Sequence, residues 1–386
     1  MRLCRFLLSI ACAGLIAVPV HAQNQPAVFE PKAQQLFMVE AETNAVLFSK
    51  NENVAIAPAS LIKLMTLEVV FDALKTGEIR LDTAFKVSEY AWRTGGAPSG
   101  TATMFAALKS DVSVESLIRG VAVQGANDAC IILAEGLSGT EPAFVERMNK
   151  RAKVLGLRSA VFANSSGLPD PKNRISLRDL VVLARHIETT YPDYFKYYAE
   201  AEFEWNKIKQ RNRNPLIALN IGVDGLGSGF AEGAGFSIVT SMKRDGKQIL
   251  LAMGGLTSDK ERTEEAKRVL EWANSSFSKK KLFEAGEAVG DASVYGGDRS
   301  SLPVVVSEPV DVFIATNNPE RLSARVIYKW PLTAPVAAGQ TIGVLKISSG
   351  ERLLREVPVK ASEAAGVGSL SARALDAVQE LLFFWL

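Results

Sequence analysis

Ser60 and Lys63 stand three residues apart in Pro58-Ala59-Ser60-Leu61-Ile62-Lys63-Leu64-Met65-Thr66-Leu67, the start of an almost wholly apolar helix. A hydroxyl and an amine one turn apart suit a serine nucleophile with a lysine base. The Ser-x-x-Lys spacing recurs at Ser276 with Lys279 and at Ser278 with Lys281, so spacing alone does not choose among the three. Placement on the helix does. At about 100° per residue, Glu68, Asp72 and Lys75 fall on one narrow stripe, and Lys63 projects from nearly the opposite side, among Leu and Met. Lys63 is therefore expected to point inward, where burial disfavours the ammonium form and lets the amine take a proton from a neighbouring hydroxyl near neutral pH. The later copies lie in a basic stretch, Lys279-Lys280-Lys281, after a helix-like run ending near Ala273, and read as solvated surface. A plainer reading of the first pair is an N-terminal serine beside a snorkelling lysine.

The elements around the pair are read from charge and hydropathy. Arg2 and Arg5, an apolar run from Phe6 to Val20 and Val20-His21-Ala22 have the pattern of a secretory signal peptide, residues 1–22. Cys12 lies inside the apolar run, which argues against lipoprotein processing. Cleavage after Ala22 removes two of the 44 basic residues and leaves them equal to the 42 acidic ones. A neutral chain is a poor partner for nucleic acid. Cys130 is then the only cysteine, which excludes an internal disulfide, and its helical apolar setting makes it a small core residue. His186 is the only histidine left, inside the helical pattern Leu180 to His186. A Ser-His-Asp triad would have to use it, and a zinc site lacks His and Cys ligands, so no metal or cofactor is expected.

From Gln35 to Lys50 the pattern predicts a strand pair turning around Glu42-Thr43-Asn44, followed by the Ser60 helix. Helices are expected over Val114 to Leu137 and Glu141 to Leu155, strands at Gly235 to Met242 and Gln248 to Gly254, and a helix over Asp259 to Ala273. This order implies an α/β (α+β) fold in which helices cover an antiparallel sheet. A boundary is expected near Lys279 to Phe283. Beyond it, runs at Val304 to Val306, Val310 to Ala315, Arg325 to Lys329 and Thr341 to Ile347, punctuated by Pro and Gly, imply a small all-β module. The domains expected are thus residues 23–278, 279–362, and 363–386 as linker and terminal helix. That helix places Leu375, Val378, Leu381, Leu382 and Trp385 on one face, the pattern of an interfacial membrane anchor.

Several motifs recur in a fixed order: Ala59-Ser60-Leu61-Ile62-Lys63, Gln124-Gly125-Ala126-Asn127-Asp128-Ala129, Asn164-Ser165-Ser166-Gly167-Leu168 and Val223-Asp224-Gly225. With them the chain resembles a penicillin-binding D-alanyl-D-alanine carboxypeptidase, from about Phe37 to the C-terminus. The resemblance implies a transpeptidase/β-lactamase-like sheet with a helical insertion, in a periplasmic protein peripheral on the inner membrane. It implies peptidoglycan pentapeptide as substrate and β-lactam antibiotics as covalent ligands. It also implies Ser60 as acyl nucleophile, Lys63 as base, Asn127 positioning Lys63 and the substrate amide, and backbone N–H groups of Ser60 and Phe230 as the oxyanion hole.

Two positions depart from the family pattern. The second motif, Ser-x-Asn in the family, reads Gly125-Ala126-Asn127 and lacks the hydroxyl that relays a proton to the leaving amine. The third, Lys-Thr-Gly, reads Gly227-Ser228-Gly229, so a hydroxyl is kept and the cation that grips the substrate carboxylate is gone. Arg213, in the family-like segment Asn212-Arg213-Asn214, is a candidate replacement grip, with a plain surface arginine as the alternative. Lys75-Thr76-Gly77 spells the third motif but falls where the Ser60 helix should end. The departures imply reduced or altered activity, and leave open a catalytically silent relative that binds wall peptides or a partner. A β-lactamase is disfavoured because no Glu-x-x-Leu-Asn segment supplies a deacylating carboxylate.

Overall fold

The apolar runs after Gln35 and Gly235 are short and bounded by turns, and they fold as strands of one sheet. In the computed structural model, which describes residues 29–316, 321–350, 352–371 and 373–374, β1 (Gln35–Glu40) and β2 (Val46–Lys50) form an antiparallel hairpin. β3 (Val223–Ala231), β4 (Gly235–Arg244) and β5 (Lys247–Leu256) form a meander, and β5 pairs antiparallel with β1, Phe37 opposite Ala252. The order β2-β1-β5-β4-β3 leaves β3 at an edge. Contacts divide the chain into Met1–Glu30 and Pro31–Leu386, and everything described below belongs to the second unit.

Ser237 to Met242 and Ile249 to Gly254 are buried at every position, so both faces of the central strands are covered. The helices that frame the sheet and the site include α1 (Lys63–Lys75), α2 (Val114–Arg119), α3 (Asn127–Ser138), α4 (Glu141–Val154), α5 (Leu177–Thr190) and α6 (Asp259–Ser276). Helix α5 packs on β1 and β5, and α6 on β4 and β5. Ser113, Ser176 and Ser258 cap α2, α5 and α6 by accepting from backbone N–H groups in the first turn. Eleven residues of α1 are buried, which makes it the axis of the helical half. Gly77, at φ +75°, follows its end, so the Lys75-Thr76-Gly77 decoy is a helix terminus as expected.

Two sequence expectations need correction. Glu68 shares a stripe with Asp72 and Lys75 yet is fully buried, because Arg151 of α4 reaches both carboxylates, at 2.7 Å from Glu68 and 3.1 Å from Asp72. The helix expected over Val114 to Leu137 is broken: α2 ends at Arg119, a π-helical turn spans Gly120–Gln124, and Gly125 at φ +66° stops it before α3. A left-handed residue cannot continue a right-handed helix. Lys279 to Phe283, where a boundary is expected, lies in a strand.

That strand opens the C-terminal module of β6 (Phe277–Phe283), β7 (Ala288–Tyr295), β8 (Ser301–Val306), β9 (Val310–Ala315), β10 (Leu322–Tyr328), β11 (Thr341–Ser349) and β12 (Arg352–Ala361). β6 pairs with β9, and the others form a sheet ordered β10-β11-β12-β8-β7, extended by Leu332–Thr333. Its own core includes Val304, Val312, Leu345, Ile347 and Val359. Lys279 Nζ bridges Glu42 at 2.8 Å and Asp311 at 3.2 Å, which accounts for that lysine without chemistry. The signal segment 1–22 and the terminal helix beyond residue 374 lie outside the described residues. Among those described, no helix is long and apolar enough to cross a membrane.

Candidate active site

The nucleophile candidate sits on a tight turn. Ala59 takes φ +47°, an uncommon value for a residue with a side chain, and a 3₁₀ turn over Ala59–Ile62 leads into α1. Leu61 and Ile62, buried at 0% and 1% exposure, anchor the turn and leave Ser60 half-buried. Lys63 Nζ donates to Ser60 Oγ at 2.9 Å and to the Ser166 carbonyl at 2.5 Å. Burial pulls the Lys63 pKa below the ordinary lysine value, and the positive charge of Arg213 pulls it the same way. Cys130 offers no opposing charge near neutral pH, since burial pushes its thiol up to about 12. A lowered pKa is the shift that a lysine base requires.

The Asn164 to Leu168 segment is the clamp on that amine. Gly167 packs so tightly on the Ala59 carbonyl that a Cβ there would lie 2.0 Å from its oxygen. Thr66 Oγ1 of α1 donates to the Ser165 carbonyl at 2.6 Å, and the Glu141 carboxylate receives Ser165 N–H at 2.9 Å and its hydroxyl at 2.6 Å.

Asn127, at the start of α3, is buried and donates from Nδ2 to Thr101 Oγ1 at 3.0 Å. Lys63 is thus held by Ser166 and Ser60, and the expected positioning of Lys63 by Asn127 is not the arrangement found. The Asn127 amide serves the 101–106 loop, whose other support is Asp128, fully buried and accepting from Thr103 Oγ1 at 2.6 Å, Met104 N–H at 3.0 Å and Ala106 N–H at 3.1 Å. Replacing Asp128 with alanine leaves those donors unmatched, at about 1–3 kcal/mol for each buried group that finds no other partner. We expect Asp128→Ala to lower thermal stability by several degrees and Asp128→Asn by much less, as read from melting curves.

Edge strand β3 forms the opposite wall. Gly229 lies close enough to the preceding turn that a Cβ would meet the Pro58 oxygen at 2.9 Å, so glycine is needed for β3 to approach Ser60. Ser228 Oγ donates to the Arg213 carbonyl at 3.1 Å, and Arg213 N–H donates to the Val123 carbonyl at 2.9 Å, which brings both degenerate motifs to one place. Ser60, Gly125, Arg213, Ser228, Gly229 and Phe230 all line a cleft of about 910 Å³. A smaller chamber of about 30 Å³ beside it is lined by Ser60, Lys63, Gly125, Arg213, Gly227 and Ser228, among others. A Cβ on Gly227 would meet nothing within 4 Å, and one on Gly125 only Arg213 Cγ at 3.8 Å.

Sequence reasoning passed over Arg262. It lies on α6, lines the cleft at 5% exposure, has its guanidinium 5.7 Å from the Phe236 ring centre, and pairs with Asp259 while its Nε has no hydrogen-bond partner among the described residues. In the sequence it is one charge among many at the start of an amphipathic helix, with no signal that β4 covers it. His186, by contrast, lies 3.3 Å from Glu68 and lines neither cavity of the Ser60 site.

A serine-lysine pair at the foot of an edge strand, on an antiparallel sheet followed by a β module, defines the class, and comparison with known proteins agrees. A family model described as D-alanyl-D-alanine carboxypeptidase matches residues 20–256, and one for the C-terminal domain of penicillin-binding protein 5 matches residues 277–366. The chain belongs to the D-alanyl-D-alanine carboxypeptidase family of penicillin-binding proteins. It is 36% identical to D-alanyl-D-alanine carboxypeptidase DacA of Haemophilus influenzae over 316 residues, covering 81% of this chain and 79% of the relative. The crystal structure of penicillin binding protein 5 from Haemophilus influenzae is similar at a TM-score of 0.78 and 33% identity, covering 88% of this chain and 99% of that one. Penicillin-binding protein D2 from Listeria monocytogenes, solved in its cefotaxime-bound form, is similar at a TM-score of 0.55 and 25% identity, over 65% of this chain and all of that one. Family and relatives together support D-Ala-D-Ala carboxypeptidase function in the bacterial cell wall.

Proposed function

We propose that this protein removes the terminal D-alanine from peptidoglycan pentapeptides through an acyl-enzyme on Ser60. The observation that carries the reading is the 2.9 Å contact between Ser60 Oγ and a buried Lys63 amine whose pKa is lowered by desolvation. Neutral Lys63 takes the Ser60 proton as Oγ attacks the carbonyl between the two D-alanines, and water later hydrolyses the ester. The extended peptide lies along the free edge of β3, beside Ser228 and Gly229, with Thr101 and Gly125 also lining the cleft. Backbone N–H groups of Ser60 and Phe230 stabilise the oxyanion. Arg213 and Arg262 supply the charge for the substrate carboxylate that Gly227 no longer provides.

The same residues place a limit on rate. Gly125 withholds a relay hydroxyl and Gly227 a cation, so the activity is weaker or differently selective than a family member with both. On the sequence pattern, residues 1–22 direct export to the periplasm, residues 23–278 form the catalytic domain and 279–362 the β domain, and residues 363–386 hold the protein to the inner membrane surface. The missing hydroxyl and cation also favour a second reading, a silent relative that binds wall peptides without cleaving them.

Mass spectrometry after incubation with benzylpenicillin separates the two. The proposal expects one adduct per chain, mapped to the peptide containing Ser60, together with D-alanine release from a pentapeptide. An unmodified mass after prolonged incubation, with no D-alanine released, leaves only the silent binder.

A further inference from the structure

Gly125 and Gly227 withhold a hydroxyl and a cation, and they also leave room. Gly227 and Gly229 stand two apart on β3, so a side chain at either would point to the same face of the sheet. At Gly229 that face meets the turn carrying Ser60, where a Cβ would lie 2.9 Å from the Pro58 oxygen. At Gly227 it is open, with nothing within 4 Å of a Cβ. A Cβ on Gly125 would likewise meet only Arg213 Cγ, at 3.8 Å. Both glycines line the chamber of about 30 Å³ beside Ser60 and Lys63, and the buried residues Leu64, Val121, Ala122 and Leu226 give it apolar walls. A water-sized group needs about 10–15 Å³ of such space, so the chamber has room for about two. It shares Ser60, Gly125, Arg213 and Ser228 with the large cleft, and so adjoins it on the nucleophile's side.

We propose that the chamber is a subsite for the leaving residue's side chain, so that the protein releases unbranched D-amino acids one or two methylenes longer than alanine as well as D-alanine itself. The inference rests on the proposed function and names its range of substrates. With the scissile carbonyl at Ser60 Oγ and its oxygen toward the Phe230 N–H, the last residue of the peptide falls at Ser228 and Gly227, the part of β3 that borders the chamber. Its carboxylate is common to all such residues, so the arginine contacts do not tell them apart. Only the group on its α-carbon differs. Each methylene that leaves water for the apolar chamber is worth about fourfold in binding. The bonds made and broken are the same for every member of the series. The Ser60 Oγ–C bond forms, the C–N bond breaks, and the proton that Lys63 took from Ser60 goes to the departing nitrogen. In deacylation a water gives its hydroxyl to the acyl carbon and a proton to Ser60 Oγ. One peptide and one water thus give a shortened peptide and a free D-amino acid.

The test gives the full chain otherwise identical pentapeptides ending in D-alanine, D-2-aminobutyrate or D-norvaline, and follows the free amino acid released. For the two longer endings kcat/KM is expected to equal or exceed the D-alanine value, by up to about fourfold per methylene. Gly227→Leu fills the chamber without adding charge. It is expected to lower the ratio of D-norvaline to D-alanine release by at least about tenfold, with Gly227→Ala in between, because a filled site excludes the longer chain first. A parent with lower kcat/KM for both longer endings than for D-alanine overturns the inference, whether or not the variants fold. A ratio unmoved in Gly227→Leu, with its fold intact by circular dichroism, overturns it as well. If the parent releases no amino acid from any of these peptides and forms no penicillin adduct, the proposed function itself falls, a result distinct from either.

Discussion

Lys63→Met is expected to slow acylation of Ser60 by penicillin, and release of D-alanine, by about 10²- to 10⁴-fold, the span usual for loss of a general base. Ser60→Ala, run beside it, is expected to give no adduct at all. The stability of the Lys63 variant should move the other way. A lysine titrates near 10.4 in an unfolded chain, and burial lowers that value in the fold. Between the folded and unfolded values the unfolded chain binds more protons, so stability rises with pH across that window. Below the folded value both states carry the proton, and the cost of burying an ammonium is felt in full. Methionine removes that cost, so Lys63→Met is expected to be at least as stable as the parent near neutral pH and to lose the alkaline rise. Urea melts at several pH values between about 6 and 10 would read this directly. Acylation by the parent should likewise increase as pH climbs through the lowered Lys63 pKa, since only the neutral amine accepts the Ser60 proton. A stable variant with undiminished adduct formation would remove Lys63 from the chemistry.

Local pattern carried the sequence reading as far as the pair itself. Lys63 is unusual on its own helix, an amine among Leu, Ile and Met, and helical geometry alone turned it inward. The strands were legible for the same reason, as short apolar runs between turn residues. What escaped depended on partners distant in the chain. Glu68 shares a stripe with charged neighbours, and partners far along the chain, Arg151 at 83 residues and Tyr191 at 123, make its burial tolerable. Arg262 acquires its meaning from β4, which a local window does not contain. The break before Asn127 was hidden by continuous hydrophobicity, because the residues of the π-helical turn are as apolar as the helix they interrupt. Gly125 carries two consequences at once. It removes a hydroxyl, and its left-handed backbone ends the turn so that Asn127 begins a new helix.

Restoring the family residues tests whether this site is a weakened carboxypeptidase or one rebuilt for another ligand. At Gly227 a side chain meets nothing within 4 Å, and at Gly125 the nearest obstacle is Arg213 Cγ at 3.8 Å, so space favours both changes. Conformation opposes one of them: φ +66° at Gly125 is strained for serine by about 1–2 kcal/mol, a loss expected in the melting curve rather than in the chemistry. The introduced serine supplies a relay worth about 10²- to 10⁴-fold when none exists. The introduced lysine adds a charge-assisted contact of about 1.5–3 kcal/mol, felt mainly in KM. Its charge beside Lys63 also acts in the direction Arg213 already does, favouring the neutral base. Gly125→Ser with Gly227→Lys is therefore expected to raise kcat/KM for D-alanine release from a pentapeptide by about 10²-fold or more, with kcat following the serine and KM the lysine. Release unchanged or lowered in the double variant, with its fold intact by circular dichroism, would mean that the two glycines are the fitted parts of a different binding site.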